Sequence, residues 1–328
     1  MTMRAMTITE DHRLELAELP EPVLAPGEVL VDVVAAGVNR ADLAQTAGKY
    51  PPPPGASELP GLEVSGHRRD TGEKVVALLA GGGYAEVVAV PEELLLPAPE
   101  GIGLVEAAGV VEVAATVISN LVLEAGLHEG ETILIQGGTG GIGSVAIQIA
   151  RHLGARVLTT VGSEEAIATA RALGADMAWN RHTTDLLEAV RETGGVDVIL
   201  DVVGGQALAD HVGMLRENGR LVIIGTLGGA SGELPIGLLM SKRGRIIGTT
   251  LRSRPVEMKH GILEATQYLV WPLLASGELR IPIHTRLPLE QAAEAHDILR
   301  TGGHLGKVIL EVARPAEGTR RGRRRRGA

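Results

Sequence analysis

The run Gly138-Thr139-Gly140-Gly141-Ile142-Gly143 follows the apolar stretch Thr132 to Gln136 and opens a segment with helical apolar spacing. That context limits the fold more than any other feature of the chain. A G-x-G-x-x-G run at a strand-to-helix turn has three uses for glycine. Gly138 is expected to make the tight turn, Gly140 to let the backbone approach a diphosphate, and Gly143 to let helix and strand pack closely. The free amides at the helix start then hold the phosphates, so a dinucleotide is the expected ligand. In the helix itself Ile142, Val145, Ala146, Ile149, Ala150 and Leu153 recur at i, i+3, i+4, i+7, i+8 and i+11, which is one buried stripe.

From residue 132 to about 226 strand-like and helix-like segments alternate. The strands TILIQ, ARVLTTV, DMAWN, VDVILDVV and RLVIIGT are mostly continuous apolar runs, separated by helical GIGSVAIQIARHL, EEAIATARALG, DLLEAVRETGG and QALADHVGMLRENG. Continuous apolar strands need cover on both faces, so the reading is an α/β fold with a doubly wound parallel sheet. Before it, residues 3–8 and 28–35 read as strands, YPPPPGASELPG at 50–61 as a rigid loop, and 104–123 as a helix. Residues 280–313 return to strand-like stretches such as GKVILEV and are expected to rejoin the N-terminal β-rich part.

Composition closes several routes. The 328 residues leave room for two domains, and the lack of cysteine excludes disulfides, thiolate catalysis and Cys-ligated zinc or iron–sulfur clusters. Phe is also absent, with only two Trp and three Tyr, so the core must be aliphatic. The first residues lack a signal-peptide pattern, and no uninterrupted apolar run reaches membrane-spanning length, so a cytoplasmic protein is expected. The net charge is −9, although residues 314–328 carry seven Arg and one Glu. The body is therefore acidic, and any nucleic-acid contact is expected only through this basic tail.

The second strand of the alternating region ends Val161-Gly162-Ser163, where folds preferring NAD carry an acid for the ribose 2′-hydroxyl. Without that acid there is room for a 2′-phosphate. Ser163 is the expected donor and Arg181 the expected cation, which favours NADPH.

Further motifs are spread along the chain: Gly37-Val38-Asn39-Arg40-Ala41-Asp42-Leu43, Gly48-Lys49-Tyr50-Pro51-Pro52-Pro53-Pro54-Gly55-Ala56-Ser57, Pro60-Gly61-Leu62-Glu63-Val64-Ser65-Gly66 and Ala80-Gly81-Gly82-Gly83-Tyr84-Ala85-Glu86. Ile223-Ile224-Gly225-Thr226-Leu227-Gly228-Gly229, Thr250-Leu251-Arg252-Ser253-Arg254 and Trp271-Pro272-Leu273 continue the set. With the glycine run, they resemble the quinone oxidoreductase (zeta-crystallin-like) family of medium-chain dehydrogenases/reductases over about residues 3–312.

The resemblance implies a GroES-like β-rich catalytic domain at 1–118 and 253–313, a Rossmann domain at 119–252, and a separate tail at 314–328. It implies NADPH in the cleft, zinc-independent reduction of a quinone, and a homodimer joined through the nucleotide domains. Asn39 and Tyr50 would line the cleft, with Thr116 on the nicotinamide side. Gly225, Thr226 and Leu227 would present backbone groups to the nicotinamide, and Lys307 would return near the cofactor. Zinc-dependent relatives have His where Leu62 stands in Gly61-Leu62-Glu63, so no metal is expected, and His67 reads as a surface residue.

Quinone reduction needs placement and a donor such as Tyr50 or Asn39 for the developing oxyanion, with solvent supplying the proton, so no buried catalytic His or Asp is expected. Two departures stand out. The segment 66–76 is about ten residues shorter than is usual in the family, as if a strand and its turn were missing. Aromatics are absent around Ala114, Ala115 and Ile118, which widens the pocket. The competing readings are an enoyl or enone reductase of the same superfamily and a non-enzymatic NADPH- or RNA-binding protein.

Overall fold

The computed structural model describes residues 1–312, so the expected basic tail lies outside the described residues. The chain opens with an antiparallel hairpin, β1 (Thr2–Ile8) and β2 (Leu14–Pro20). Five strands follow: β3 (Glu28–Val38), β4 (Glu63–Arg68), β5 (Lys74–Leu78), β6 (Val87–Pro91) and β7 (Leu95–Pro97). Next come β8 (Thr132–Ile135), β9 (Arg156–Val161), β10 (Met177–Asn180), β11 (Val196–Asp201), β12 (Leu215–Ile223) and β13 (Arg245–Gly248). The last two are β14 (Ile283–Pro288) and β15 (Lys307–Glu311).

Strands β8 to β13 form one parallel sheet in the order β10-β9-β8-β11-β12-β13. The order reverses between β8 and β11, which opens a crevice beyond their C-terminal ends. The glycine run leaves β8 at that crevice. The other large sheet runs β14-β15-β3-β4-β5-β7, with β6 also on β3. Its β15 pairs antiparallel with β3, so the C-terminal strands complete the N-terminal sheet. The helix Val256–Ser276 joins the halves by burying Ile262 and Leu263 in one core and Val270, Leu273 and Leu274 in the other.

Four local readings change. The helix expected through Gly219 stops at Met214, because buried Leu215 begins β12, and Asn218 then takes a left-handed φ of 62°. The short strand β13 gave no sequence signal long enough to separate it from its loop. Within the expected strand-like end, Ala292–Thr301 is a helix whose Ala292, Ala295, His296 and Leu299 are buried at i, i+3, i+4 and i+7. The shortened 66–76 segment leaves no gap, since β4 and β5 form a hairpin and β4 pairs on its other side with β3. Its turn is held by the Arg68 amide donating to the Glu73 carbonyl and by the Arg69 guanidinium bridging Glu21 and Asp32.

The stretch Leu104–Glu124 has the length and hydropathy of a membrane span, but 72% of its most apolar 18-residue window is buried inside the protein. It sits in the joint between the two cores, where Val111, Val113, Ala114 and Val117 are covered.

Candidate active site

The turn after β8 differs from its expected mechanics in one respect. Gly137, with φ 75°, makes the left-handed bend, and Gly138 has no positive φ. Gly138 is needed for space, since a Cβ there would run into the Thr159 hydroxyl. Gly143 serves the same purpose, because its Cβ would collide with the Gly137 carbonyl. Gly140 is different: a Cβ there would meet only the Gly137 carbonyl oxygen, at 3.5 Å, and otherwise open space. It caps the helix Gly141–His152 without a side-chain hydrogen bond, leaving the first-turn amides to face outward. This bare, donor-rich cradle fits a diphosphate.

A buried chain of hydrogen bonds supports the cradle. The Thr160 hydroxyl accepts from the Gly137 amide at 3.1 Å and donates to Gln136 Oε1 at 2.7 Å. Gln136 Nε2 lies 2.8 Å from His211 Nε2, and His211 Nδ1 lies 3.1 Å from Asp201 Oδ2. Asp201 also accepts the amides of Val203 and Gly204. That loop packs on 225–229, where the Leu227 and Gly228 amides donate to the Val202 and Val203 carbonyls. Thus Gly225, Thr226 and Leu227 and the glycine turn rest on one buried support. His211 and Asp201 form part of it, although sequence reading gave neither a role.

The C-terminal return meets the same turn. The Gly306 amide donates to the Thr139 carbonyl at 2.8 Å, and the Lys307 side chain lies beside Gly141. Lys307 is only 2% exposed, and its Nζ lies 2.6 Å from Asn39 Oδ1, 2.7 Å from Glu63 Oε1 and 3.0 Å from the Val38 carbonyl. Asn39 Nδ2 also donates to Glu63 Oε1 at 3.0 Å. The Asn39 carboxamide is therefore engaged at both ends, which makes it a brace between β4 and β15.

Behind Asn39, the completely buried Asp42 accepts the Asn39 amide at 2.8 Å, the Tyr84 hydroxyl at 3.0 Å and the Gly61 amide at 3.3 Å. Burial raises its pKa to about 6 despite these donors. The Tyr84 hydroxyl also lies 3.3 Å from His296, whose pKa burial lowers to about 4. A buried Asp and a buried His thus stand close behind the site, where the sequence reading expected no catalytic role for either type, and both are tied up with Tyr84 as supports. Their signal was present in the Asn39-Arg40-Ala41-Asp42 and Gly83-Tyr84 runs, but only the fold joins them to His296.

Thr116 is nearly buried on the helix Val111–Val117, with its hydroxyl 3.4 Å from Glu112 Oε1. Glu63 Oε2 accepts the Glu112 amide at 3.0 Å. Tyr50, half-buried after the 48–49 turn, has the Arg252 guanidinium 5.2 Å from its ring centre. Arg252 donates to the Tyr50 and Ala80 carbonyls and to Gln45. Burial raises the Tyr50 pKa, with Arg252 opposing and Glu112 adding to the rise.

Ser163 and Arg181 stand apart from this group, at the outer end of β9 and β10. Ser163 caps the helix Glu164–Ala172 by accepting the Ala166 amide, and the Arg181 guanidinium lies over Gly162, about 3.1 Å from where its Cβ would be. Glu164 is turned aside to accept from Asn180 and Thr183. His67 is partly exposed and contacts the Gly72 carbonyl across its hairpin.

A sheet closed by both ends of the chain, set against a central doubly wound sheet whose glycine turn meets the C-terminal return, defines a two-domain dehydrogenase/reductase of the medium-chain type. The zinc-binding dehydrogenase model matches residues 141–266, and the alcohol dehydrogenase GroES-like domain model matches 25–100. The quinone oxidoreductase of Mus musculus is 30% identical over 331 residues, covering 94% of this chain and 97% of the relative. The crystal structure of the quinone oxidoreductase from Thermus thermophilus, also determined with NADPH, matches with a TM-score of 0.82 and 33% identity, over 94% of this chain and 100% of that one. The phthioceranic/hydroxyphthioceranic acid synthase of Mycobacterium tuberculosis is 30% identical over 95% of this chain, which spans 15% of that synthase. The chain belongs to the quinone oxidoreductase family.

Proposed function

We propose that the chain is an NADPH-dependent quinone oxidoreductase that works without zinc. The observation that carries the reading is the open face at Gly140 beside the Gly306–Lys307 return, which sets a diphosphate cradle against the Asn39, Thr116 and Tyr50 side of the joint. The amides of Gly141 and Ile142 and the backbone of Thr139 and Gly143 would hold the diphosphate. Ser163 and Arg181 would take the 2′-phosphate, with Glu164 turned away from it. The backbone at Gly225, Thr226 and Leu227 would fix the nicotinamide, and bound NADPH supplies the hydride.

The chain's own contribution is placement and charge stabilisation. Lys307, Glu63 and Asn39 brace the wall beside the cradle. The Tyr50 phenol, held over Arg252, donates to the acceptor oxygen as negative charge develops there. Thr116 stands on the nicotinamide side of the same space. Buried Leu62 occupies the place where zinc-dependent relatives have a histidine, which supports a zinc-free reaction. We assign the catalytic unit to 1–118 and 253–313, and the nucleotide unit to 119–252. A cytoplasmic homodimer completes the reading: one edge of the parallel sheet ends at β13, and Ile236 and Met240 are exposed on the preceding helix.

The test compares NADPH with NADH, and 1,2-naphthoquinone and 1,4-benzoquinone with crotonyl-CoA. NADPH oxidation by a quinone should dominate, and Arg181→Ala should raise KM for NADPH about tenfold while leaving that for NADH nearly unchanged. Faster turnover of crotonyl-CoA than of either quinone replaces this reading with an enoyl reductase.

A further inference from the structure

We infer that Glu112 is the internal proton donor of this site, passing its carboxyl proton through the Thr116 hydroxyl to the oxygen of the reduced quinone. The inference rests on the quinone reductase reading. Of the three acids gathered here, Glu112 is the one left available. Glu63 is engaged by Lys307, Asn39 and the Glu112 amide. Asp42 accepts from Asn39, Gly61 and Tyr84. Among the described residues the Glu112 carboxyl has one hydrogen-bond contact, a long one accepted from the Thr116 hydroxyl at 3.4 Å one helical turn away. Its own amide is pinned by Glu63, so this turn of the helix is held rigidly while the carboxyl keeps freedom to exchange partners.

Behind the carboxyl lies a cavity of about 10 Å³ lined by Glu112, Arg252, Lys259 and four leucines. That is about the room one water needs. Lys259 is 4% exposed, and its ammonium donates to the Arg252 carbonyl at 3.2 Å. The carboxyl therefore has a hydroxyl on one side and a water-sized, largely apolar space on the other.

Its surroundings keep a substantial fraction of it protonated near neutrality, although the Thr116 hydrogen bond favours the carboxylate. Glu63 on β4 and Asp42 on the helix Arg40–Thr46 disfavour the carboxylate, while Lys307 on β15 favours it. Tyr50 and Arg252 come from the flanking loops, and Lys259 from the helix Val256–Ser276. Burial and then Glu63 raise the pKa of Glu112 to about 7, even though part of the residue stays exposed. Hydride uptake gives the quinone two electrons and one hydrogen and leaves a hydroquinone monoanion. As the Thr116 O–H proton moves to that oxygen, the Glu112 O–H bond breaks and re-forms the hydroxyl. Glu112 remains as a carboxylate and regains a proton from solvent, to which part of the residue is exposed.

The test uses the full-length chain with 1,2-naphthoquinone and NADPH. Glu112→Gln should keep a cooperative melt and its NADPH affinity by fluorescence titration, and lose about 100-fold in kcat. Wild-type kcat should fall on the alkaline side of neutrality, Glu112→Asp should recover part of the rate with that pH dependence, and Glu112→Gln should show none. In the ligand-free protein, an infrared carboxylic-acid band titrating near pH 7 should vanish in Glu112→Gln and persist in Thr116→Val. Wild-type kcat in Glu112→Gln, or an unchanged infrared band, overturns the proposal. Wild-type protein inactive with every quinone overturns the functional reading itself, and the proposal with it.

Discussion

The two halves of the molecule differ in the kind of polar group they bury. In the nucleotide half, Ile133, Leu134, Ile135, Leu158, Ile199 and Leu200 are almost completely buried between helices on both faces of the sheet. Its buried polar groups are mostly neutral, such as Gln136, Ser144, Thr159 and Thr160, and its buried ionisable groups are paired within that half, as in the Asp201–His211 pair and the Arg220–Glu131 ion pair. The catalytic half instead buries Asp42, Glu63, Tyr84, His296 and Lys307 beside its aliphatic strands. A glycine turn needs shape and a few mainly neutral hydrogen bonds, such as the one the Gly137 amide donates to Thr160. A reactive surface needs charges at fixed places, and buried charges stay only where partners from several elements hold them.

The contrast can be broken most sharply at Lys307. Lys307→Met leaves Glu63 buried without its cation and should destabilise the chain by about 3–5 kcal/mol in denaturant unfolding. Adding Glu63→Gln should restore much of that loss, and failure to do so would mean that Lys307 acts mainly through its contacts with the glycine turn. In the nucleotide half shape alone is at stake. Gly143→Ala forces a methyl into the Gly137 carbonyl and should cost about 1–3 kcal/mol, whereas Gly140→Ala should cost under about 1 kcal/mol. Both should weaken NADPH binding, measured by fluorescence titration, but only the first should lower Tm appreciably.

A smaller effect comes from Asp42. Its folded-state pKa is raised to about 6, so its stabilising contribution is full below the ordinary carboxylate pKa and is lost as pH rises through 6. His296, lowered to about 4, acts in the opposite direction, since its contribution is lost on acidification. Unfolding free energies of wild type and Asp42→Asn between pH 4 and 7 isolate the first effect. Their difference should shift toward Asp42→Asn by up to about 3 kcal/mol as pH rises, and a pH-independent difference would rule out a strained carboxylate.

Legibility in the sequence follows the same division. The parallel sheet was readable because apolar strand runs and a helical stripe such as Ile142, Val145 and Ile149 are local patterns. The positions of Ser163 and Arg181 were readable because they lie at the ends of those strands. The helix Ala292–Thr301 was missed although its buried spacing is regular, because its neighbours read as strand. Glu112 carried no sequence signal, since its neighbours Glu63, Lys259 and Arg252 lie far away along the chain. The short 66–76 segment suggested a missing strand, and only the paired register of β3, β4 and β5 shows that the sheet closes across it.

By itself the sequence determined the phosphate turn, the doubly wound sheet, the aliphatic core and the absence of thiol chemistry, because each depends on neighbours within a few residues or on composition alone. Tertiary structure decided that Asn39 is a brace, that Lys307 is buried against Glu63, and that Glu112 stays open to Thr116. Those outcomes depend on burial and on donors brought from distant segments, and the free energy of a buried charge is set by whichever groups the fold places within a few ångströms of it.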